Sequence, residues 1–261
     1  MRYLIAGAFS RTIPIFEALT KYKGTARILV YDGINKCKWN GGRINRDIVY
    51  NDGTINYYYS KGVGIALTFT NDVIDLDDEV GNHLLEKFHK EGNAIILVNR
   101  ALTEYIRKNY PKYELIYSIT GMGTLNIPLQ DIDIEVYHHL ESVYDWIVPR
   151  FEHVFDKRAD ELDRTKWEVM VNDTCIWKCK RFDEHFKAIA HENTLGNGYS
   201  AEVEECWIKG FDPDIDSRQD AMDIDIEHID KLKALGVQSF KIIGRELDDH
   251  TYAGELKRYL I

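Results

Sequence analysis

The sequence predicts a single-domain (β/α)8 barrel of the TIM type over residues 1–261, on three observations. The chain has 261 residues, and such a barrel takes about 250 as one unit. Short apolar runs rich in β-branched residues recur eight times, and amphipathic segments lie between them. Strands and helices that alternate in this way form parallel sheets. Eight repeats favour a closed barrel over an open doubly wound sheet, the alternative if one strand is misassigned.

The candidate strands are nearly continuous apolar stretches, as expected for parallel strands covered on both faces. In chain order they run over Arg2 to Ala8, Ala26 to Tyr31, Ile65 to Thr70, Ala94 to Asn99, Glu114 to Thr120, Trp146 to Pro149, Trp167 to Asn172 and Phe240 to Gly244.

The segments between them have the periodicity of amphipathic helices, and several end near Gly or Pro. They include Ile13 to Tyr22, Val80 to Glu91, Thr103 to Tyr110, Phe151 to Leu162 and Ile224 to Leu235. No linker, repeat or shift in composition divides the chain.

Charge and hydropathy narrow the function classes. A formal net charge of -10 at pH 7 disfavours general DNA or RNA binding, which depends on clustered Lys and Arg, although a local basic groove stays open. No run of about 18 apolar residues predicts a membrane-spanning helix, and the apolar start from Met1 to Gly7 is too short for an export signal. We therefore expect a cytoplasmic protein with reduced cysteines.

Several common catalytic signatures are absent from the sequence. It has no Walker A loop, no G-x-S-x-G elbow and no H-E-x-x-H pair. The sequence therefore gives no motif evidence for a phosphate-loop NTPase, an α/β-hydrolase or a common zinc protease.

All four cysteines fall in two long connections, 33–64 and 173–238. Active sites of such barrels lie where strands run into the following loops, so these connections are placed to build a site. The thiolates of Cys175, Cys179 and Cys206 suit zinc or an iron-sulfur cluster, with Cys37 or His185 as the fourth ligand. Buried, inert thiols are the alternative.

Three charged residues are candidates for substrate binding and catalysis. Arg43 follows Gly41 and Gly42, which allow close backbone approach, and its guanidinium can clamp a carboxylate or phosphate. Arg245 follows the eighth strand, where barrels often bind anions, and Glu152 follows the sixth as a candidate general acid or base. A solvated turn, a surface ion pair and an ordinary acidic helix start are the respective alternatives.

A longer pattern runs from Glu168-Val169-Met170-Val171-Asn172 through Cys175, Cys179, Arg181, His185 and Cys206 to Phe240-Lys241-Ile242-Ile243-Gly244-Arg245. It resembles the collagenase-like peptidase U32 family over the C-terminal half. The N-terminal part, with segments 39–43, 68–71 and 105–111, looks like a short branch of such proteins.

The resemblance implies a barrel with a four-iron four-sulfur cluster, held by Cys37 early in the chain and by Cys175, Cys179 and Cys206 later. The later cysteines are not spaced as in well-known members, and His185 competes with Cys37. Members are called peptidases, but relatives resemble oxygen-independent hydroxylases of RNA bases or aromatic quinone precursors, with prephenate as the oxygen source.

Three hypotheses follow. The leading one is an iron-sulfur enzyme that performs oxygen-independent hydroxylation or related redox chemistry on a small anionic or aromatic substrate, or on a modified RNA base. The second is a zinc-dependent peptidase or amide hydrolase that uses the same cysteines with His185. The third is a non-catalytic, metal-stabilised subunit of a heterodimer or homodimer, whose contact surface is the acidic segment from Asp212 to Asp230.

Overall fold

The computed structural model describes residues 1–42, 48–123, 132–176, 182–194, 221–223, 226–245 and 247–260. The strands in these ranges are β1 (Arg2–Ala6), β2 (Arg27–Asp32), β3 (Gly64–Phe69), β4 (Ala94–Leu97), β5 (Glu114–Tyr117), β6 (Trp146–Ile147), β7 (Glu168–Met170), β8 (Asn172–Ile176), β9 (Ala221–Asp223) and β10 (Ser239–Ile242).

Eight of these strands form one parallel sheet in the order β6-β5-β4-β3-β2-β1-β10-β7. A parallel bridge between Ile147 of β6 and Trp167, just before β7, brings the two end strands together. The sheet is thus a nearly closed barrel with alternating helices, which confirms the predicted (β/α)8 fold class. All eight predicted strands are present, mostly shortened at their ends; β6 keeps only Trp146–Ile147.

Side chains along each barrel strand alternate between two apolar layers. Leu4, Leu29 and Ile96 belong to the cluster inside the barrel, whereas Ile5 and Val30 pack in the larger layer under the helices. Both layers are buried, which explains why the strands read as continuous apolar runs.

The described helices are α1 (Thr12–Lys21), α2 (Asp52–Ser60), α3 (Glu79–Lys87), α4 (Arg100–Asn109), α5 (Ile134–Val143), α6 (Phe151–Val154), α7 (Phe182–Thr194), α8 (Ile226–Ala234) and α9 (Asp249–Leu260). Side-chain N-caps start several of them: Asn51, Asp78, Asn99 and Asp133 each accept a hydrogen bond from a backbone N–H in the first turn. Such caps satisfy N–H groups that the helix itself leaves unpaired. None of the helices in the described ranges has the length and apolarity needed to cross a membrane.

One predicted helix was wrong in extent. The segment from Phe151 to Leu162 forms only the short α6 and then a 3-10 turn over Lys157–Glu161. The Asp156 carboxylate accepts a hydrogen bond from the backbone N–H of Arg158 and starts that turn, so the chain does not continue as one α-helix.

A buried polar network closes the amino-terminal end of the barrel. Arg2, only 2% exposed, forms an ion pair with the fully buried Glu168 and a second, of 2.9 Å, with Glu114. Ser239 joins Arg2 and Glu168 through hydrogen bonds. The network lies at the opposite end from the strand-following connections, so we assign it to stability rather than to chemistry.

Candidate active site at the barrel mouth

Helix α7 lies across the mouth, by which we mean the carboxyl ends of the barrel strands and the connections that follow them. Its Phe186 packs against the apolar cluster inside the barrel, and the helix also contacts the 3-10 turn Ile119–Gly123 after β5. The helix therefore covers part of the mouth.

Side-chain amides fasten the end of α7 to the connection after β2. Asn193 Nδ2 donates to the carbonyl oxygens of Asn40, at 3.1 Å, and Gly42, at 3.0 Å. Asn71 Nδ2, after β3, donates to the Lys38 carbonyl at 2.8 Å and to the Ala190 carbonyl at 3.1 Å. In the sequence α7 follows Cys175 and Cys179, so these contacts join the two cysteine-bearing connections.

Cys37 lies in the first of these connections and is 2% exposed, in the core layer that includes Ile34 and Trp39. Burial raises the pKa of its thiol to about 12, and a hydrogen bond to the Asp78 carboxylate acts in the same direction. A metal ligand must be a thiolate. In these surroundings the protonated thiol, which donates to Asp78, is the favoured form.

The other predicted ligands are described only in part. The backbone of Cys175 lies in β8, which pairs antiparallel with β9, but its thiol lies outside the described residues, as do Cys179 and Cys206. His185 is buried on α7 at 8% exposure, and its ring centroid lies 5.7 Å from that of Phe186. Within the described ranges, no group of three or more His, Cys, Asp or Glu side chains is placed to hold a metal ion.

The predicted anion binder Arg245 is held in place by Asp32. Arg245 Nη1 donates to the Asp32 carboxylate at 3.3 Å, and Asp32 is fully buried at the end of β2. The same carboxylate accepts hydrogen bonds from the backbone N–H groups of Phe9, Ser10 and Gly33. Asp32 therefore ties together the connections after β1, β2 and β10. Arg43, the other predicted anion binder, lies outside the described residues.

Glu152 follows β6, as predicted, but its side chain is largely buried beside a cation. Its carboxylate lies 3.5 Å from Arg150 Nε, and both side chains are less than a tenth exposed. Its neighbour His153 points into the core, where Nδ1 lies 2.9 Å from the Tyr137 hydroxyl and burial lowers the histidine pKa to about 4. We therefore assign His153 to the core rather than to chemistry.

Sequence reasoning missed the residues inside the mouth. Lys241 of β10 is 5% exposed, and its Nζ lies 4.6 Å from the centroid of the Tyr31 ring. Arg245 Cζ lies 5.6 Å from the same centroid. Lysine between Phe240 and Ile242 in an apolar strand was the available signal, because a charged residue inside a buried strand needs a reason.

No family model matches the chain, and no curated protein matches it. It is similar to a solved structure, that of the U32 peptidase Mk0906, with a TM-score of 0.57 over 93% of this chain and 92% of that one. The chain shares the barrel fold of that peptidase. The two sequences are 10% identical, so the similarity is one of fold. It does not assign metal ligands or an activity to this chain.

Proposed function

We propose that this chain is a U32-peptidase-like enzyme with an iron-sulfur cluster at the barrel mouth, acting by oxygen-independent hydroxylation or related redox chemistry. The observation that carries the proposal is the docking of α7. This helix follows Cys175 and Cys179 and precedes Cys206, and it is bonded through Asn193 to the connection of Cys37. The docking holds α7, which carries His185, at the barrel mouth, and so favours a site there for the cysteines that flank this helix.

The described residues fit such a cluster with His185 better than with Cys37. The Cys37 thiol is buried and bonded to Asp78, so it would have to lose that contact and a proton. His185 lies on the helix that covers the mouth, and an imidazole ligates iron in its neutral form. We therefore propose Cys175, Cys179, Cys206 and His185 as the ligand set, with Cys37 as the alternative fourth ligand. A cluster held by these residues would supply the one-electron chemistry that side chains lack.

The protein's own side chains would bind and orient the substrate. Arg245, held by Asp32, and Lys241 place two cations around the ring of Tyr31. Such a setting suits a small anionic or aromatic substrate, because guanidinium binds oxyanions and cations stack on rings. Arg43 is proposed as a second anion binder. Glu152 would serve as the acid-base group, once substrate binding shifts it from Arg150. A modified RNA base is the alternative substrate, presented singly rather than in a duplex.

The test is the iron, sulfide and zinc content of anaerobically purified protein, compared among three forms: wild type, the Cys175→Ala/Cys179→Ala double variant and Cys37→Ser. We expect about four irons and four sulfides per chain in the wild type, with the visible absorption of such clusters. The double variant should lose them and Cys37→Ser should keep them. Wild-type protein without iron would contradict the proposal.

A second candidate is a zinc-dependent peptidase or amide hydrolase, favoured by the fold that the chain shares with a U32 peptidase. Catalytic zinc takes three protein ligands and a water, and His185 with two of the later cysteines would leave that position open. One zinc per chain, together with peptide hydrolysis that a chelator abolishes, would establish it.

The third hypothesis, a metal-stabilised partner subunit, predicts a stable complex that is lost when the acids from Asp212 to Asp230 are neutralised. That segment lies largely outside the described residues.

A further inference from the structure

The mouth contains a buried hydroxyl that lacks a partner. Thr68 is 6% exposed, and its Oγ1 has no hydrogen-bond partner among the described residues. Its neighbours Leu67 and Phe69 pack in the outer layer, so alternation along β3 turns Thr68 toward the barrel interior. A buried hydroxyl without a partner is unfavourable, and the described residues supply no partner for Thr68 Oγ1.

Two cationic side chains, Lys241 and Arg245, approach the same region from β10 and the connection after it. Lys241 on β10 reaches the ring of Tyr31 on β2, although β1 lies between these strands. The β1 residue paired with Tyr31 is Ala6, whose small side chain leaves room for the lysine. Arg245 approaches the same ring from the connection after β10. The positive charge of both side chains therefore lies around Tyr31. The strand of Tyr31, β2, is next to β3, which carries Thr68.

Arg245 and Thr70 both approach the backbone of Gly42. A Cβ atom placed on Gly42 would lie 3.8 Å from Arg245 Nη2 and 3.8 Å from Thr70 Oγ1, which is ordinary van der Waals contact. The backbone of Gly42 thus faces a guanidinium and a hydroxyl, with room for a methyl group beside them, at the point where α7 docks through Asn193.

We infer that the region lined by Gly42, Arg245 and Thr68 binds the carboxylate group of a small substrate. The donors for its oxygens are Arg245 Nη2, Lys241 Nζ, Thr68 Oγ1 and Thr70 Oγ1. The inference rests on the proposed function, because it names the class of substrate for the same mouth. It also assigns Lys241, Thr68 and Thr70 to substrate binding and Asp32 to positioning Arg245.

The chemistry favours a carboxylate over a phosphate. Barrels often bind phosphate after the last strands, at the N-terminus of a helix. Here α9 follows β10, and its first-turn N–H groups at His250 and Thr251 are bonded to the Asp248 carboxylate. An acidic cap repels a phosphate dianion, whereas a carboxylate needs only the two oxygen positions that the guanidinium and hydroxyls offer.

The test is calorimetric titration of the protein as purified anaerobically, with sodium benzoate, its neutral isostere benzamide and inorganic phosphate, at constant ionic strength. We expect benzoate to bind at least tenfold more tightly than benzamide or phosphate. Thr68→Val keeps the shape and removes the hydroxyl, so it should weaken benzoate binding about fivefold to tenfold without lowering the melting temperature. Gly42→Ala should weaken it by tenfold or more. Gly254→Ala, in open space on α9, is the matched control and should change nothing.

Equal affinity for benzoate and benzamide, tighter binding of phosphate, or no binding by the wild type would overturn the inference. So would unchanged affinity in both mouth variants. Iron analysis of the same sample separates the two proposals. Iron-free protein that selects benzoate would support the carboxylate site and contradict the cluster. Iron-containing protein without that selectivity would support the cluster and contradict the carboxylate site.

Discussion

Asn193, in the last turn of α7, donates its side-chain amide to the backbone carbonyl of Gly42 at a distance of 3.0 Å. This contact spans the two long connections of the chain. It places the helix that follows Cys175 and Cys179 against the backbone that precedes Arg43. Both the proposed cluster and the proposed carboxylate site depend on this docking.

Removal of the Asn193 amide should loosen α7. In Asn193→Ala the carbonyls of Asn40 and Gly42 lose their shared donor, at a cost of about 1–3 kcal/mol for buried groups. We expect faster amide hydrogen exchange in residues 182–194 and little change in the barrel strands, measured by mass spectrometry. Lys187→Ala, at an exposed position of the same helix, is the control. Equal exchange in both variants would show that Asn193 does not hold α7.

The polar network at the amino-terminal end should matter for stability alone. Arg2→Ala leaves the buried Glu168 without its cation, and breaking a buried pair costs about 3–5 kcal/mol. Arg27 also pairs with Glu114 but is partly exposed, so Arg27→Ala should cost less than about 1 kcal/mol. Urea unfolding of both variants measures the difference. Similar losses in the two variants would contradict the assignment.

His153 should make the protein sensitive to acid. Its pKa is lowered to about 4 by burial, against about 6.5 in the unfolded chain. Between these values the unfolded state binds more protons, so the free energy of unfolding falls as the pH drops from about 6.5 to 4, by roughly 2–3 kcal/mol. The difference between wild type and His153→Gln should change across that window. His139→Gln, at an exposed site, should follow the wild type; a parallel curve for His153→Gln would count against a buried neutral imidazole.

Cys37 should lower stability at alkaline pH. Its folded pKa of about 12 exceeds that of a free thiol, about 8.5. The folded state therefore keeps its proton longer, and the stability from this thiol is present below about pH 8.5 and lost as the pH rises toward 12. Unfolding curves of wild type and Cys37→Ala should converge over this range. A thiol that reacts readily with iodoacetamide at pH 8 in the folded protein would contradict this environment.

The barrel was predictable because its signal is repeated and local. Each strand contributes a continuous apolar run, so a strand as short as β6 was still recognised. Helix α2 was missed within the 33–64 connection; its Asn51 cap, which accepts a hydrogen bond from Thr54 N, was the usable sign. The extent of α6 was wrong because a single side chain, Asp156, redirects the chain, and hydrophobic periodicity does not register such a contact.

The mouth was less predictable because its residues come from separate strands and connections and meet only in the folded barrel. Arg245 was selected from the sequence, but its partner Asp32 lies at the far end of the chain. Lys241 meets Tyr31 because β10 and β2 flank β1 in the sheet and Ala6 of β1 is small. The contact of Cys37 with Asp78 likewise joins two separate connections, and neither residue's local sequence indicates it.

The most direct measurement is the methyl NMR spectrum of isoleucine-labelled protein, recorded before and after reduction with dithionite. A reduced cluster is paramagnetic and broadens nearby signals. We predict that the methyl signals of Ile119 and Ile189, at the mouth and on α7, broaden on reduction, while that of Ile28, at the opposite end of the barrel, stays sharp. No broadening at all, or broadening of Ile28 with sharp signals from Ile119 and Ile189, would contradict a cluster at the mouth.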